Sequence, residues 1–472
     1  MPQFIKRTQL LSNAQDAFDW HSRSGAFERL SPPFDRVELV EKTGGIEPGS
    51  RVRLRVFSGP LPQIWLAEHR QYEPGRSFTD VQVTGPFARW EHRHSFIPTN
   101  GGCVLEDRID YALPYGLIGS WLGAGFVRRK LDQVFSYRHA VTAHDLAAHF
   151  SHLGKGSMKI LISGASGLVG TELKNFLAAG GHEVKTLGRL GKHSDVAWNV
   201  ERNLLNPADL EGFDAVVHLA GENVAGGRWT PERRKAILNS RVDGTRLLCE
   251  ALAGCKRPPK VLVSASAVGI YGDRGDEELT ESSSHGSGFL ASVCRAWEDA
   301  CQPAIGAGIR VVNLRIGVVL SPRGGALKKM LLPFKLGLGS NLGTGRQWMS
   351  WISIDDLVGS IHHALMTDSV RGPVNACSPA AVQQREFARV LGKVLWRPTI
   401  RFLPSFMTLI PLWLVFGDMA LEVLLGGAKV LPHRLQDSGY VFRHPDLESA
   451  LRHVLGKRGS VDAPFPAATA HP

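Results

Sequence analysis

Three glycines stand at GxxGxxG spacing in the run Gly164-Ala165-Ser166-Gly167-Leu168-Val169-Gly170, directly after an apolar strand pattern and before a helical one. Glycine permits a tight turn and close backbone approach, while a helix N-terminus offers unpaired N–H groups and the positive end of its dipole. Those are the requirements of pyrophosphate binding. Turn chemistry alone is the plainer alternative, but strand, loop and helix follow one another in the order that the motif needs. Nineteen residues past Gly170 come Gly188 and Arg189, where the next strand pattern ends. An acid there would suit a ribose hydroxyl, whereas a guanidinium can grip a 2′-phosphate bidentately. The pair points to NADP, against the alternative of a surface arginine at a strand end.

Further along, Ser264-Ala265-Ser266 and Tyr271 supply hydroxyls that could orient a substrate oxygen and exchange a proton with it. A tyrosine in an IYG turn is more often a structural residue. Glu222 follows a strand end where a carboxylate could serve catalysis or anchor the loop. Asp355 and Asp356 are further candidates, read more simply as capping a helix that begins near Asp356. His218 reads as part of a buried strand.

These residues need elements to hold them. Apolar runs at Lys159 to Ser163, Glu183 to Leu187, Ala215 to Leu219, Lys260 to Ser264 and Arg310 to Arg315 read as strands. Helical patterns at Leu168 to Ala179, Pro231 to Ala253 and Phe289 to Ala307 fall between them. Strands alternating with helices predict a parallel, doubly wound sheet. The N-terminal part differs: RVRLRVF (Arg51 to Phe57) and DVQVTG (Asp80 to Gly85) alternate apolar with polar, predicting antiparallel sheet. A helix over about Gly119 to Ala147 closes that part, and Ser151 to Ser157 reads as the linker.

At 472 residues the chain exceeds one hydrophobic core, so two or more domains are expected. The net charge of +11 is scattered among 44 acids without a basic run, which argues against nucleic acid as a partner. Six dispersed cysteines with no CxxC pair suggest reduced thiols, no metal site of that kind and a cytoplasmic location. The apolar stretch Phe402 to Gly427 is broken by prolines, Asp418 and Glu422, so buried helices are expected rather than an integral membrane span.

At His218-Leu-Ala-Gly221-Glu-Asn, Gly227-Arg-Trp-Thr and Asn239-Ser-Arg241 the sequence resembles the atypical short-chain dehydrogenase/reductase subgroup known as the epimerase family. The likeness continues through SASAVGIYG (Ser264 to Gly272), LRIGVVLSPRGGAL (Leu314 to Leu327) and GGAKVLPHRL, covering about Met158 to Leu455. It implies an α/β Rossmann domain with NADP over 158–395 and a small C-terminal domain on the substrate side over 396–455, while the Pro- and Ala-rich composition of 456–472 predicts a disordered tail. Carried over motif by motif, it implies cofactor contact at the glycine loop, Gly188, Arg189, Leu219, Ala220, Gly221, Arg241, Ser264 and Val319. For Leu219, Ala220 and Val319, strand packing is the alternative. Segments GPFARWEHRHSF (Gly85 to Phe96) and FSYRHAVTAHDL (Phe135 to Leu146) resemble the SRPBCC-type, START-like helix-grip fold, giving an α+β domain over 1–152. That resemblance implies a hydrophobic ligand, with packing or partner contact as the rival role.

Relatives that transfer hydride use a Tyr and a Lys four residues later; at the matching place this chain reads Phe289-Leu-Ala-Ser-Val293. A phenyl ring exchanges no proton and valine carries no charge. Two readings stay open: an oxidoreductase or epimerase-type enzyme with unusual chemistry on an unknown small molecule, with Ser266 and Tyr271 as its catalytic candidates, or a non-catalytic NADP-binding regulatory module.

Overall fold

The computed structural model describes residues 2–57, 61–191, 193–400 and 420–457. The N-terminal domain is a seven-stranded antiparallel sheet of β1 (Gln3–Leu10), β2 (Val37–Thr43), β3 (Arg51–Phe57), β4 (Pro62–Glu73), β5 (Ser77–Thr84), β6 (Arg89–Thr99) and β7 (Gly102–Ala112). Its spatial order is β1-β7-β6-β5-β4-β3-β2. Helices α1 (Ala14–Ser22), α2 (Ala26–Arg29) and the 35-residue α3 (Gly116–Phe150) pack against it. Alternation decides the inner face: β6 buries Trp90, His92, His94 and Phe96 and turns the residues between them outward. Phe4, Trp90 and Ile109 from the sheet meet Leu131 and Phe135 from α3 in one core, and Phe18, Phe78, Phe96 and Leu105 form a second. This is the expected helix-grip arrangement, with a helix longer than the sequence pattern suggested.

A turn at Leu153–Lys155 leads into a second sheet, wholly parallel. Its strands are β8 (Lys159–Ser163), β9 (Glu183–Arg189), β10 (Val196–Trp198), β11 (Ala215–His218), β12 (Val261–Ala267), β13 (Arg310–Ile316) and β14 (Gly372–Ala376), in the order β10-β9-β8-β11-β12-β13-β14. The order reverses between β8 and β11, the crevice where such sheets bind ligands. Both faces are covered. Helix α4 (Leu168–Ala179) and the later α9 (Ile354–Met366) bury Ile160, Val217 and Val263 on one side; α5 (Pro231–Ala253) covers Leu161, Val216 and Leu262 on the other. Helices α4 and α5 have the bounds that the sequence predicted. The third predicted helix is two, α6 (Phe289–Asp299) and α7 (Gln302–Gly306), because Pro303 has no N–H to continue the ladder.

Of the remaining helices, α8 (Gly325–Lys335), α10 (Gln384–Leu395), α11 (His433–Asp437) and α12 (Leu447–Leu455), α12 shares a core with α8 and α10 through Leu451, Val454, Leu331 and Leu391. The described C-terminal residues are thus packed onto the Rossmann domain. Of the helices expected over Phe402 to Gly427, residues 402–419 lie outside the described residues and Ala420–Leu425 forms one π-helical turn; the tail past Lys457 also lies outside them. Among the described residues, no helix is long and apolar enough to cross a membrane.

The two domains meet at Arg29, 1% exposed, from α2. Its guanidinium reaches Asp145 of α3 at 2.8 Å, Glu172 of α4 at 3.4 Å and Asp355 of α9 at 2.7 Å, and Arg443 joins Asp145 at 2.7 Å. Gly25, at φ +90°, lets α2 close on α4, since a Cβ there would fall 2.3 Å from the carbonyl oxygen of Asn175.

Candidate functional site

Strand β8 delivers the chain to Gly164 at φ +69°, where a Cβ would lie 2.8 Å from the Leu219 carbonyl carbon. A Cβ on Gly170 would stand 2.3 Å from the Gly164 oxygen. These two glycines therefore fold the loop tightly against the ends of β8 and β11. Gly167 is the N-cap of α4 and provides no side chain, so the first-turn N–H groups around Leu168, Val169 and Gly170 have no side-chain acceptor. Ala165 and Ser166 complete the loop, and Thr171 Oγ1 ties it down through the Ala165 oxygen at 3.2 Å. The result is an open cluster of donors at the positive end of a helix, which fits an anionic diphosphate.

Arg189 ends β9 with an exposed side chain, and no described residue hydrogen-bonds or pairs with its guanidinium. Gly188 has a packing duty of its own: a Cβ would meet the Ser194 side chain at 2.8 Å. Leu219 and Ala220 leave β11 beside the glycine loop, their N–H groups donating to Ser163 Oγ at 3.1 and 3.4 Å. Val319 lies near the other flank, its carbonyl 3.8 Å from where a Gly325 Cβ would be and Leu168 beside it. Arg241 is buried, stacked 4.9 Å from the Trp297 ring centre, and donates to the carbonyls of Ile237 at 3.1 Å and Glu222 at 2.9 Å. A Cβ on Gly221 would come within 3.3 Å of it. Arg241 thus holds the loop after β11, and the Glu222 side chain projects outward toward Arg233 at 3.6 Å. His218 is fully buried, linking Ser163 Oγ at 2.6 Å to Thr245 Oγ1 at 3.0 Å, and burial pushes its imidazole down to about 4.

The hydroxyl candidates fall into a different setting. Ser264 is buried at the sheet face covered by α5 and α7. Ser266 donates to Glu298 at 2.7 Å; Glu298 forms a two-point pair with Arg315, at 2.9 Å through each oxygen. Arg315 donates to the Tyr271 hydroxyl at 2.8 Å, and that hydroxyl donates to Asn375 Oδ1 at 2.7 Å or the Thr280 oxygen at 2.9 Å. Tyr271 has no exposed surface, and burial raises its phenol above the ordinary value despite Arg315 beside it. Where Tyr and Lys would stand, Phe289 and Val293 pack with Trp229 and Ile237, the Trp229 and Phe289 rings 5.0 Å apart. One charged group near them was read from the sequence only as a break in an apolar stretch: Glu422, whose carboxylate accepts the N–H of Phe289 at 3.1 Å and of Leu290 at 2.9 Å, capping α6.

Asp355 and Asp356 lie in the first turn of α9, and the cap is Ser353, because the helix begins at Ile354, two residues earlier than expected. Asp356 accepts from Ser353 Oγ at 2.8 Å and from the N–H groups of Arg443 and His444, while Asp355 belongs to the Arg29 cluster.

Comparison with known proteins agrees with this geometry. The model of the NAD dependent epimerase/dehydratase family matches residues 160–377, a domain of unknown function (DUF1731) matches 409–454, and polyketide cyclase / dehydrase and lipid transport matches 13–135. The chain is 39% identical over 302 residues to the epimerase family protein Mb2239 of Mycobacterium bovis, covering 64% of this chain and 98% of that protein. The structure of a nucleoside-diphosphate sugar epimerase from Corynebacterium glutamicum superposes with a TM-score of 0.78 at 32% identity, covering 96% of this chain and 90% of that one. Human SDR39U1 (isoform 2), solved with NADPH, matches with a TM-score of 0.59 at 37% identity, over 63% of this chain and 99% of its own. A doubly wound sheet with its glycine loop at the reversal point and near-complete coverage of such relatives lead to one conclusion: this chain belongs to the epimerase family.

Proposed function

We propose that the protein binds NADP(H) across the ends of β8, β9 and β11 and handles hydride chemistry on an unidentified small molecule without a tyrosine–lysine pair. The observation that carries the reading is the donor cluster at the start of α4, left without a side-chain cap, with the exposed Arg189, unpaired among the described residues, at the end of the neighbouring strand. The diphosphate would rest on the N–H groups of Gly167 to Gly170, and Arg189 would take the 2′-phosphate. Bound there, the nicotinamide supplies or accepts a hydride. The human relative's NADPH complex supports the phosphate-bearing cofactor.

Among the chain's own groups, the Ser266–Glu298–Arg315–Tyr271 network stiffens the floor of the site, and Glu422 is the carboxylate that stands at the head of α6. A second reading, cofactor sensing without turnover, is favoured by the apolar packing at Phe289 and Val293 and by the burial of Tyr271. The N-terminal domain, matched to a lipid-transport family model, would supply an apolar ligand in either case.

Calorimetric titration with NADPH and NADH tests the central claim. Arg189→Ala is expected to weaken NADPH by about 10–100-fold, the worth of one or two hydrogen bonds to a charged group, and to leave NADH nearly unchanged. Equal losses for both nucleotides would remove the phosphate-reading role. Loss of bound-NADPH absorbance during a metabolite screen would decide for turnover over sensing.

A further inference from the structure

The inner face of β6 carries two histidines, His92 and His94, 3% and 7% exposed, between Trp90 and Phe96. Asp80 of β5 lies directly across from His92 in the ladder. Its Oδ1 stands 3.3 Å from His92 Nδ1 and 3.8 Å from His94 Nε2, and the three residues can each offer a ligand atom within 4.8 Å of the others. Behind the rings, Asp107 of β7 accepts from His92 Nε2 at 2.9 Å and from His139 Nε2 of α3 at 2.7 Å. It also lies 2.6 Å from His94 Nδ1, in an alignment too poor for a hydrogen bond. His139 in turn contacts Thr8 Oγ1 at 2.9 Å.

The neighbours of these polar groups are aromatic: Phe78 stacks on His94 at 4.2 Å and Phe135 meets His92 at 5.2 Å. Burying such groups is costly unless they are paired or hold a metal. Two features separate a metal site from an ordinary buried ion-pair network. One is orientation. Asp107 engages or adjoins the far nitrogen of both rings, so the near nitrogens face Asp80, which is the carboxylate–histidine–metal arrangement. The other is spacing. Tetrahedral zinc with bonds of about 2.0–2.1 Å holds its ligand atoms roughly 3.3 Å apart, close to the separations from Asp80. Ligation requires the imidazole nitrogens to be unprotonated, and a divalent ion would then replace, as the balancing charge, the proton that Asp80 and Asp107 favour on His92 against the cost of burial.

We infer that Asp80, His92 and His94 bind a divalent first-row transition ion of the zinc class, with Asp107 as the positioning carboxylate behind both histidines. Two nitrogens and one oxygen are three protein ligands, the number found in sites that keep a coordination position open for water or a ligand oxygen.

The test uses the full-length chain, stripped with a chelator and titrated with Co²⁺ while its visible d–d bands are followed. Wild type is expected to take up about one ion per chain with bands that Zn²⁺ removes. Asp80→Asn and His94→Ala should abolish the bands, and Asp107→Asn should weaken binding by about 10–100-fold. His149→Gln and His453→Gln, each in a separate histidine group, should leave the bands intact. Circular dichroism checks folding; if His94→Ala does not fold, Asp80→Asn, a near-isosteric change at the most exposed of the three, decides alone. Absence of the bands in wild type, their survival in Asp80→Asn, or their loss only in His149→Gln or His453→Gln would overturn the assignment.

Discussion

Tyr271 and Ser266 were the natural sequence candidates for proton transfer, and both are engaged by partners inside one buried network with Glu298, Arg315 and Asn375. Removing the phenol oxygen leaves Arg315 Nη1 and Asn375 Oδ1 short of a partner. Tyr271→Phe should therefore cost about 1–3 kcal/mol of stability, seen as a lower melting temperature, while the NADPH dissociation constant stays put. A turnover that vanished with stability unaltered would instead give Tyr271 a chemical role. Single residues were legible where their chemistry is local. Gly164 and Gly170 are forced by backbone contacts a few residues away or at the next strand end, so their spacing alone announces them. Glu422 was not legible, because it reaches the head of α6 from 133 positions along the chain, and no sequence spacing encodes that meeting.

At the scale of elements, α4 and α5 were bounded correctly because each has a clean start: a capless glycine before α4, and Thr230 with Pro231 before α5. Strands β10 and β14 went unseen. The first is three residues long and the second opens on Gly372-Pro373, so neither offers a period to read. The sequence reading gave the histidines of β6 no role, since only the register with β5 and β7 sets them against Asp80 and Asp107. The tight join of β8 to α4 gives its own prediction. Gly170→Ala would put a methyl group 2.3 Å from the Gly164 oxygen, a backbone atom with nowhere to go. We expect NADPH binding to be lost, along with part of the thermal stability, and a Gly170→Ala protein with native affinity would show that the loop can rearrange.

For the whole molecule, the domain junction is held by charge in a dry place. Arg29→Ala leaves Asp145, Asp355 and Glu172, among the described residues, to Arg443, Arg323 and His453, and should cost about 3–5 kcal/mol in denaturant unfolding. The same junction carries buried histidines. His149 is held down to about 3 and His362 well below its ordinary value, first by burial and then by the groups facing them: Arg443, His152 and His182, with Asp145 opposing at His149. A folded-state value below the unfolded one, about 6.5, means full stability above that pH and a progressive loss as pH falls from there toward about 3. Each of these two groups can remove up to about 2 kcal/mol by pH 5, so melting of the full chain should drop between pH 7.5 and 5.0, and His362→Gln should shrink the drop.

Helix α4 faces two ways. Its first turn carries N–H donors without a side-chain cap, and its flank, with Glu172, Asn175 and Phe176, is pressed against the N-terminal domain. A protein cut at the linker and begun at Met158 would expose that flank to water, with two carboxylates, Glu172 and Asp355, deprived of Arg29. The nucleotide-binding half is therefore not portable as it stands: transplanting it calls for a resurfaced α4 and α9, starting at Glu172, Phe176 and Asp355.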